Sequence, residues 1–172
     1  MEVFSRSNSP FSIVNHRLVG GGVIHVVCEK NRRGLGEPDM IILHYTAGMD
    51  AMSSAKFLVR PDVKASAHVV IGRDGQVIQL VPFNIEAWHA GKSSYGGRNE
   101  LNHYSIGIEL DNLGQLRLEG GKFVAECGRE VPVKEVYTED SGEMLTYWHD
   151  YTDVQMQVLN EEIGRASCRE RV

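Results

Sequence analysis

The stretch SAHVVIGRDGQVIQLVP, residues 66–82, leaves this chain the least freedom. Val69 and Ile71 alternate with His68 and Val70, Asp74-Gly75 suits a tight turn, and residues 77–81 return. An Asp-Gly pair between two β-branched runs specifies a hairpin. The chain must therefore build a sheet, and its other apolar runs have to join it. IILHYTAG, residues 41–48, is one such run: three apolar β-formers lead into His44 and then into small residues. A strand there delivers a histidine to a sheet edge. NHYSIGIELDN is another, with Ile106, Ile108 and Leu110 on one face and Gly107 and Glu109 on the other.

Between these strands, Ala51, Ala55, Leu58 and Val59 fall at helical spacing, Asp50 can cap the start, and Pro61 enforces the stop. SIVNHRLV and GVIHVV read as an N-terminal strand or two, followed by the loop EKNRRGLGEPD. Gly34 and Gly36 are loop glycines, because no strand–GxGxxG–helix context surrounds them. From 113 to 146 the composition changes: QLRLEGGKFVAE suggests a Gly-Gly hairpin and EVPVKEVYTEDSGE an exposed strand and loop, a decoration on the main domain. YTDVQMQVLNEE then starts a helix, with Thr152 and Gln155 at capping-box spacing and Val154, Val158 and Leu159 as its apolar stripe. The expected architecture is α/β, a single domain over residues 1–162 with no internal repeat.

The last ten residues, IGRASCRERV (163–172), resemble a translated sequencing-library adapter and are expected to be a non-native tail. Setting them aside leaves 15 basic against 22 acidic residues, a net charge of −7 in place of the −5 of the whole chain. That balance argues against a nucleic-acid partner, which calls for a basic face. No apolar run approaches the ~20 residues of a membrane helix, so no membrane partner is expected. MEVFSRSNSPF has no apolar core of a signal peptide, so the expected location is cytoplasmic. Outside the tail, Cys28 and Cys127 are too few and too far apart for a disulfide framework or a CxxC metal clip.

Four polar residues sit where chemistry is usually built: His44, His68, His89 and Glu109. Imidazole is a common zinc ligand, and a carboxylate can take a proton from an activated water. Each also has a structural reading. His44 can be a satisfied structural histidine, Glu109 a solvated strand carboxylate, Trp88 a core aromatic, and His68 a ring that only hydrogen-bonds backbone. Asn102 reads as pinning a turn, Arg98 as forming a loop salt bridge, and His16, His25 and His103 as surface or packing residues. Spacing alone does not bring these side chains together.

HYTAG, SAHVVIGRDGQVIQLVP, AWHAGKSSYGGRNELN and SIGIEL, in this order and at these separations, resemble the zinc-dependent N-acetylmuramoyl-L-alanine amidases. That family is also related to phage T7-type lysozyme and the peptidoglycan recognition proteins. The resemblance covers about residues 39–112, with the helix YTDVQMQVL fitting the family's last helix. It implies a central mixed β-sheet flanked by helices. The implied reaction is hydrolysis, by a zinc-activated water, of the amide between the lactyl group of N-acetylmuramic acid and L-alanine, with peptidoglycan fragments or muropeptides as partners. The resemblance puts His44 on the first zinc ligand, Glu109 on the carboxylate that activates the water, Trp88 and His89 in the loop bordering the substrate groove, and His68 beside them. It also implies a second and third zinc ligand, a histidine and then an aspartate or cysteine, on a strand and loop beyond the last helix.

Those ligands and that last strand are expected to be missing from this chain, which would then bind zinc weakly and show little activity. His149 and Asp150 precede the helix and do not replace them, nor does Cys127. The alternatives are a non-catalytic muropeptide-binding domain and a metallohydrolase of another substrate class. Within the amidase reading, a recycling enzyme and a lysin released through a holin differ mainly in delivery. Oligomeric state is not readable from the sequence.

Overall fold

The computed structural model describes residues 11–31, 33–48 and 50–163. Residues 164–172, nearly all of the tail read as non-native, lie outside them. The chain opens with a hairpin, β1 (Phe11–Val14) and β2 (Arg17–Gly20). It turns at Asn15 and His16, both at positive φ of 50° and 62°. SIVNHRLV is therefore not one strand but two, because these polar residues take the left-handed conformation that a two-residue turn demands. β3 (Ile24–His25) follows, then β4 (Met40–Tyr45) and helix α1 (Ala51–Leu58). Asp50 caps α1 by accepting from Ser53 N, and Ala51, Ala55 and Leu58 are its buried stripe.

The expected hairpin is β5 (Val69–Ile71) with β6 (Val77–Gln79). Gly75 takes a φ of 83° in its turn, and Asp74 Oδ1 accepts from Gln76 N at 3.0 Å. A two-residue ribbon, β7 (Ser94–Tyr95) and β8 (Arg98–Asn99), precedes β9 (Ser105–Leu110). The central sheet runs β3-β6-β5-β9-β4 and is mixed: β4, β9 and β5 are parallel neighbours, β5 and β6 antiparallel. One face carries Val69, Ile71, Val77, Ile106, Ile108 and Leu110, packed with Leu18 and Leu159. The other carries Val70, Ile78 and Leu80 against α1.

The stretch read as decoration is a second sheet. β10 (Gln115–Glu119), β11 (Lys122–Ala125), β12 (Glu130–Val131), β13 (Val136–Asp140) and β14 (Leu145–His149) make five antiparallel strands in the order β12-β11-β10-β14-β13. The Gly120-Gly121 hairpin is as expected. The exposed strand and loop instead form a β13–β14 hairpin that docks on β10 through Gln115 and Leu116. Long-range pairing of this kind leaves no local signal. Helix α2 (Asp153–Gln157) is capped by Thr152 and widens into a π-helical stretch, Val158–Ile163. Gln155 Nε2 donates to Ile71 O and Asp111 O, both at 3.0 Å, tying α2 to the ends of β5 and β9. Among the described residues, one α-helix covers each face of the central sheet.

Candidate active site

Alternation along β4 turns Ile42 and His44 to one face and Leu43 and Tyr45 to the other. The β4–β9 register sets Ile42 beside Gly107 and His44 beside Glu109. In-register residues on parallel neighbours share a face, so His44 and Glu109 project together at the end of the sheet. Glu109 also lines a cavity of about 470 Å3, with Thr46, Gly48, Asp50, Ser53 and Phe57 among its other walls. Burial pushes the Glu109 carboxyl up to about 7. It also lowers the pKa of His44.

His89 arrives from a loop and completes the group. Its Nδ1 lies 3.1 Å from His44 Nε2, and its Nε2 lies 3.2 Å from Ser105 Oγ. Burial, and then the neighbouring His44, bring its pKa down to about 4. The loop is held by its backbone. Asn102 Oδ1 accepts from both His89 N, at 3.0 Å, and Ala90 N, at 2.8 Å. Trp88 N donates to Ser66 Oγ, and Ser66 N donates to Trp88 O. Trp88 itself is 38% exposed beside this group.

Gly107 makes the approach possible. A Cβ there would stand 2.2 Å from His89 Cγ and 2.6 Å from its Nδ1, so the imidazole occupies the space of the missing side chain. A glycine inside a strand often marks such a close approach, and that is the signal in SIGIEL that could have found His89's position. Ser66 and Ser105 carry no comparable signal.

His68 packs behind this group, its ring centroid 5.9 Å from that of His89 in an edge-on arrangement. His68 is fully buried. Its Nε2 bonds Ile85 O at 2.9 Å and its Nδ1 accepts from Gly107 N at 3.0 Å. Burial drives its pKa down to about 3. With no exposed surface and both nitrogens engaged, the ring is a brace between β9 and the loop at Ile85, as in the reading of a ring that hydrogen-bonds backbone. Arg98 is paired with Asp39 at 2.7 Å, the loop salt bridge of the sequence reading. His149 is buried in the second sheet, where Nδ1 accepts from Leu113 N at 3.1 Å. Cys127 is exposed and Cys28 is buried, donating to Asn31 Oδ1.

Zinc takes imidazole, thiolate and carboxylate donors, and the donor chemistry fits at His44, a half-buried imidazole beside a carboxylate. Among the described residues, no three His, Cys, Asp or Glu side chains gather to enclose a metal ion.

The fold and this grouping define a class. The family model described as N-acetylmuramoyl-L-alanine amidase matches residues 34–170, and the chain belongs to that family, whose members are generally zinc-dependent. Among its relatives, the 1,6-anhydro-N-acetylmuramyl-L-alanine amidase AmpD of Citrobacter freundii is 44% identical over 79 residues, 46% of this chain and 42% of that one. The N-acetylmuramoyl-L-alanine amidase AmiD of Escherichia coli (strain K12) is 38% identical over 93 residues, 50% of this chain and 33% of that one. The chain thus spans less than half the length of the relatives it matches. The solved complex of E. coli AmiD with anhydro-N-acetylmuramic acid-L-Ala-D-γ-Glu-L-Lys is similar with a TM-score of 0.51 at 24% identity, over 87% of this chain and 48% of that one. That likeness is one of fold. No helix among the described residues is long and apolar enough to cross a membrane.

Proposed function

We propose that this chain carries part of the catalytic centre of an N-acetylmuramoyl-L-alanine amidase, which cleaves the amide between the lactyl group of N-acetylmuramic acid and L-alanine. The observation that carries the reading is the in-register pair His44 and Glu109 on one face of the sheet. His44 is assigned as a zinc ligand and Glu109 as the general acid–base. Zinc, when bound, supplies a water acidic enough to react near pH 7 and polarises the amide carbonyl. Glu109, with its carboxyl at about 7, is matched to neutral pH for accepting a proton from water and returning it to the departing L-alanine nitrogen. Trp88, half-exposed on its pinned loop, is assigned to the wall of the groove.

In keeping with the resemblance of the sequence, the other two protein ligands of zinc are assigned to a strand and loop that would follow the last helix of the family's domain. Muropeptide fragments are taken as substrate in preference to the anionic wall, a choice supported by the chain's net charge of −5.

The test sequences the source DNA past codon 162 from an independent template and assays the encoded protein on an anhydromuramyl-peptide. Release of a peptide with a free L-alanine amino terminus, lost on chelation and in His44→Ala, is the expected result. Binding without cleavage would replace the amidase by a muropeptide-binding domain.

A further inference from the structure

The two imidazoles and Ser105 form a chain whose hydrogen-bond directions can be worked out from one end. Ser105 Oγ has a single proton, and it lies 2.7 Å from Leu101 O, an oxygen that can only accept. That proton is therefore committed, and towards His89 Nε2, 3.2 Å away, the hydroxyl can only accept. The proton of His89 is then on Nε2. A neutral ring with Nε2–H has a bare Nδ1. At 3.1 Å, that bare Nδ1 must accept from His44 Nε2–H. His44 is left with its lone pair on Nδ1, to which nothing hydrogen-bonds among the described residues.

We infer that His89 is a positioning residue, the middle link of a one-way relay from Leu101 O through Ser105 that fixes His44 as the Nε2–H tautomer and presents its Nδ1 lone pair as the metal-binding atom. Gly107 and Asn102 belong to the same device: one supplies the space for the His89 ring and the other holds its backbone. A ligating histidine whose second nitrogen is hydrogen-bonded is oriented and made more basic. The purpose of the relay rests on the zinc-amidase reading. Its existence does not, and it is measurable on the metal-free chain.

The experiment is a long-range 1H–15N correlation spectrum of the 15N-labelled 172-residue chain, without metal, at neutral pH. The expected result is a pyrrole-type Nε2 and a pyridine-type Nδ1 for both His44 and His89. A proton on Nδ1 of either ring overturns the inference. His89→Phe keeps a ring over Gly107 but offers no acceptor. It is expected to turn His44 into a mixture of tautomers, whereas His89→Gln, with an amide that can accept and donate, restores the single form. An unchanged His44 signal in His89→Phe, with the amide spectrum still that of the folded chain, refutes the role. If His89→Phe does not fold, Ser105→Ala tests the other end: His89 is expected to lose its single tautomer, and an unchanged His89 signal refutes the relay. In the zinc-competent protein, His89→Phe is expected to weaken zinc about 10–100-fold in competition with a chelating dye. If no zinc binds to that protein, the amidase reading fails while the spectra still decide the relay.

Discussion

Gly107→Ala is the sharpest perturbation this geometry offers. The φ of Gly107 lies outside the left-handed region, so the backbone accepts a Cβ and the whole effect comes from contact. The new methyl would start 2.2 Å from His89 Cγ, and reaching ordinary contact at 3.4 Å takes a ring shift of about 1.2 Å. The bonds of the ring to His44 and Ser105 are already 3.1 and 3.2 Å long. A shift of that size breaks both unless the loop moves as a body, and Asn102 holds the loop. Overpacking of this kind costs roughly 1–3 kcal/mol, which in a chain of this size lowers Tm by about 2–12 °C. The loss should appear in thermal denaturation together with loss of the single His44 tautomer. Gly36→Ala is the control: a Cβ there meets nothing within 4 Å and its φ is not left-handed, so it should be neutral or stabilising by about 0.4–1 kcal/mol. A Gly107→Ala chain with unchanged Tm and unchanged histidine spectra would show that the glycine is not a cradle for His89.

Glu109→Gln in the zinc-competent protein should lower kcat about 10²–10⁴-fold by removing the proton carrier. It should also stabilise the fold at high pH. Between its ordinary 4.5 and about 7, the folded chain keeps a proton that the unfolded chain has released, so stability falls as pH rises through that window. The variant should therefore exceed wild type at about pH 8 by on the order of 3 kcal/mol in urea denaturation; equal stabilities would refute the burial argument. His68 and His89 act in the opposite sense. Their folded pKa values of about 3 and 4 lie below the ordinary 6.5, so stability is complete above 6.5 and is lost as pH falls from there towards those values. Measuring this slope in Glu109→Gln isolates it from the carboxylate. Asn102→Ala leaves two amide N–H groups without their acceptor, which should cost about 1–3 kcal/mol and speed hydrogen exchange at His89 and Ala90 ahead of the rest of the sheet. His68→Phe leaves Gly107 N and Ile85 O unpaired and should destabilise by a similar order, about 1–3 kcal/mol, with amide exchange at Gly107 as its local readout.

The strands and helices that carry the site can be read one at a time. Alternation in IILHY and SIGIEL gives the face of each residue, Asp-Gly gives the hairpin, and Asp50 and Thr152 start the two helices where their side chains accept from the first turn. These signals are local, because each depends on neighbours within a few residues. The second sheet is not legible in this way. Its hairpins are local, but the docking of β14 on β10 is made across some thirty residues of chain, and no pattern within either strand specifies that partner.

The same division runs through the site. The sequence by itself determined that His44, Gly107 and Glu109 would each occupy one face of a strand, since side chains in a strand alternate. Only the tertiary structure decided that β9 lies between β4 and β5, which put Glu109 beside His44, set Gly107 under the ring of His89, and enclosed His68. Two rings 45 residues apart come within 3.1 Å because a missing side chain on a third element leaves room for one of them. The period of a strand fixes where a side chain points, but which atoms it meets depends on the neighbouring strands and loops that the folded chain brings alongside.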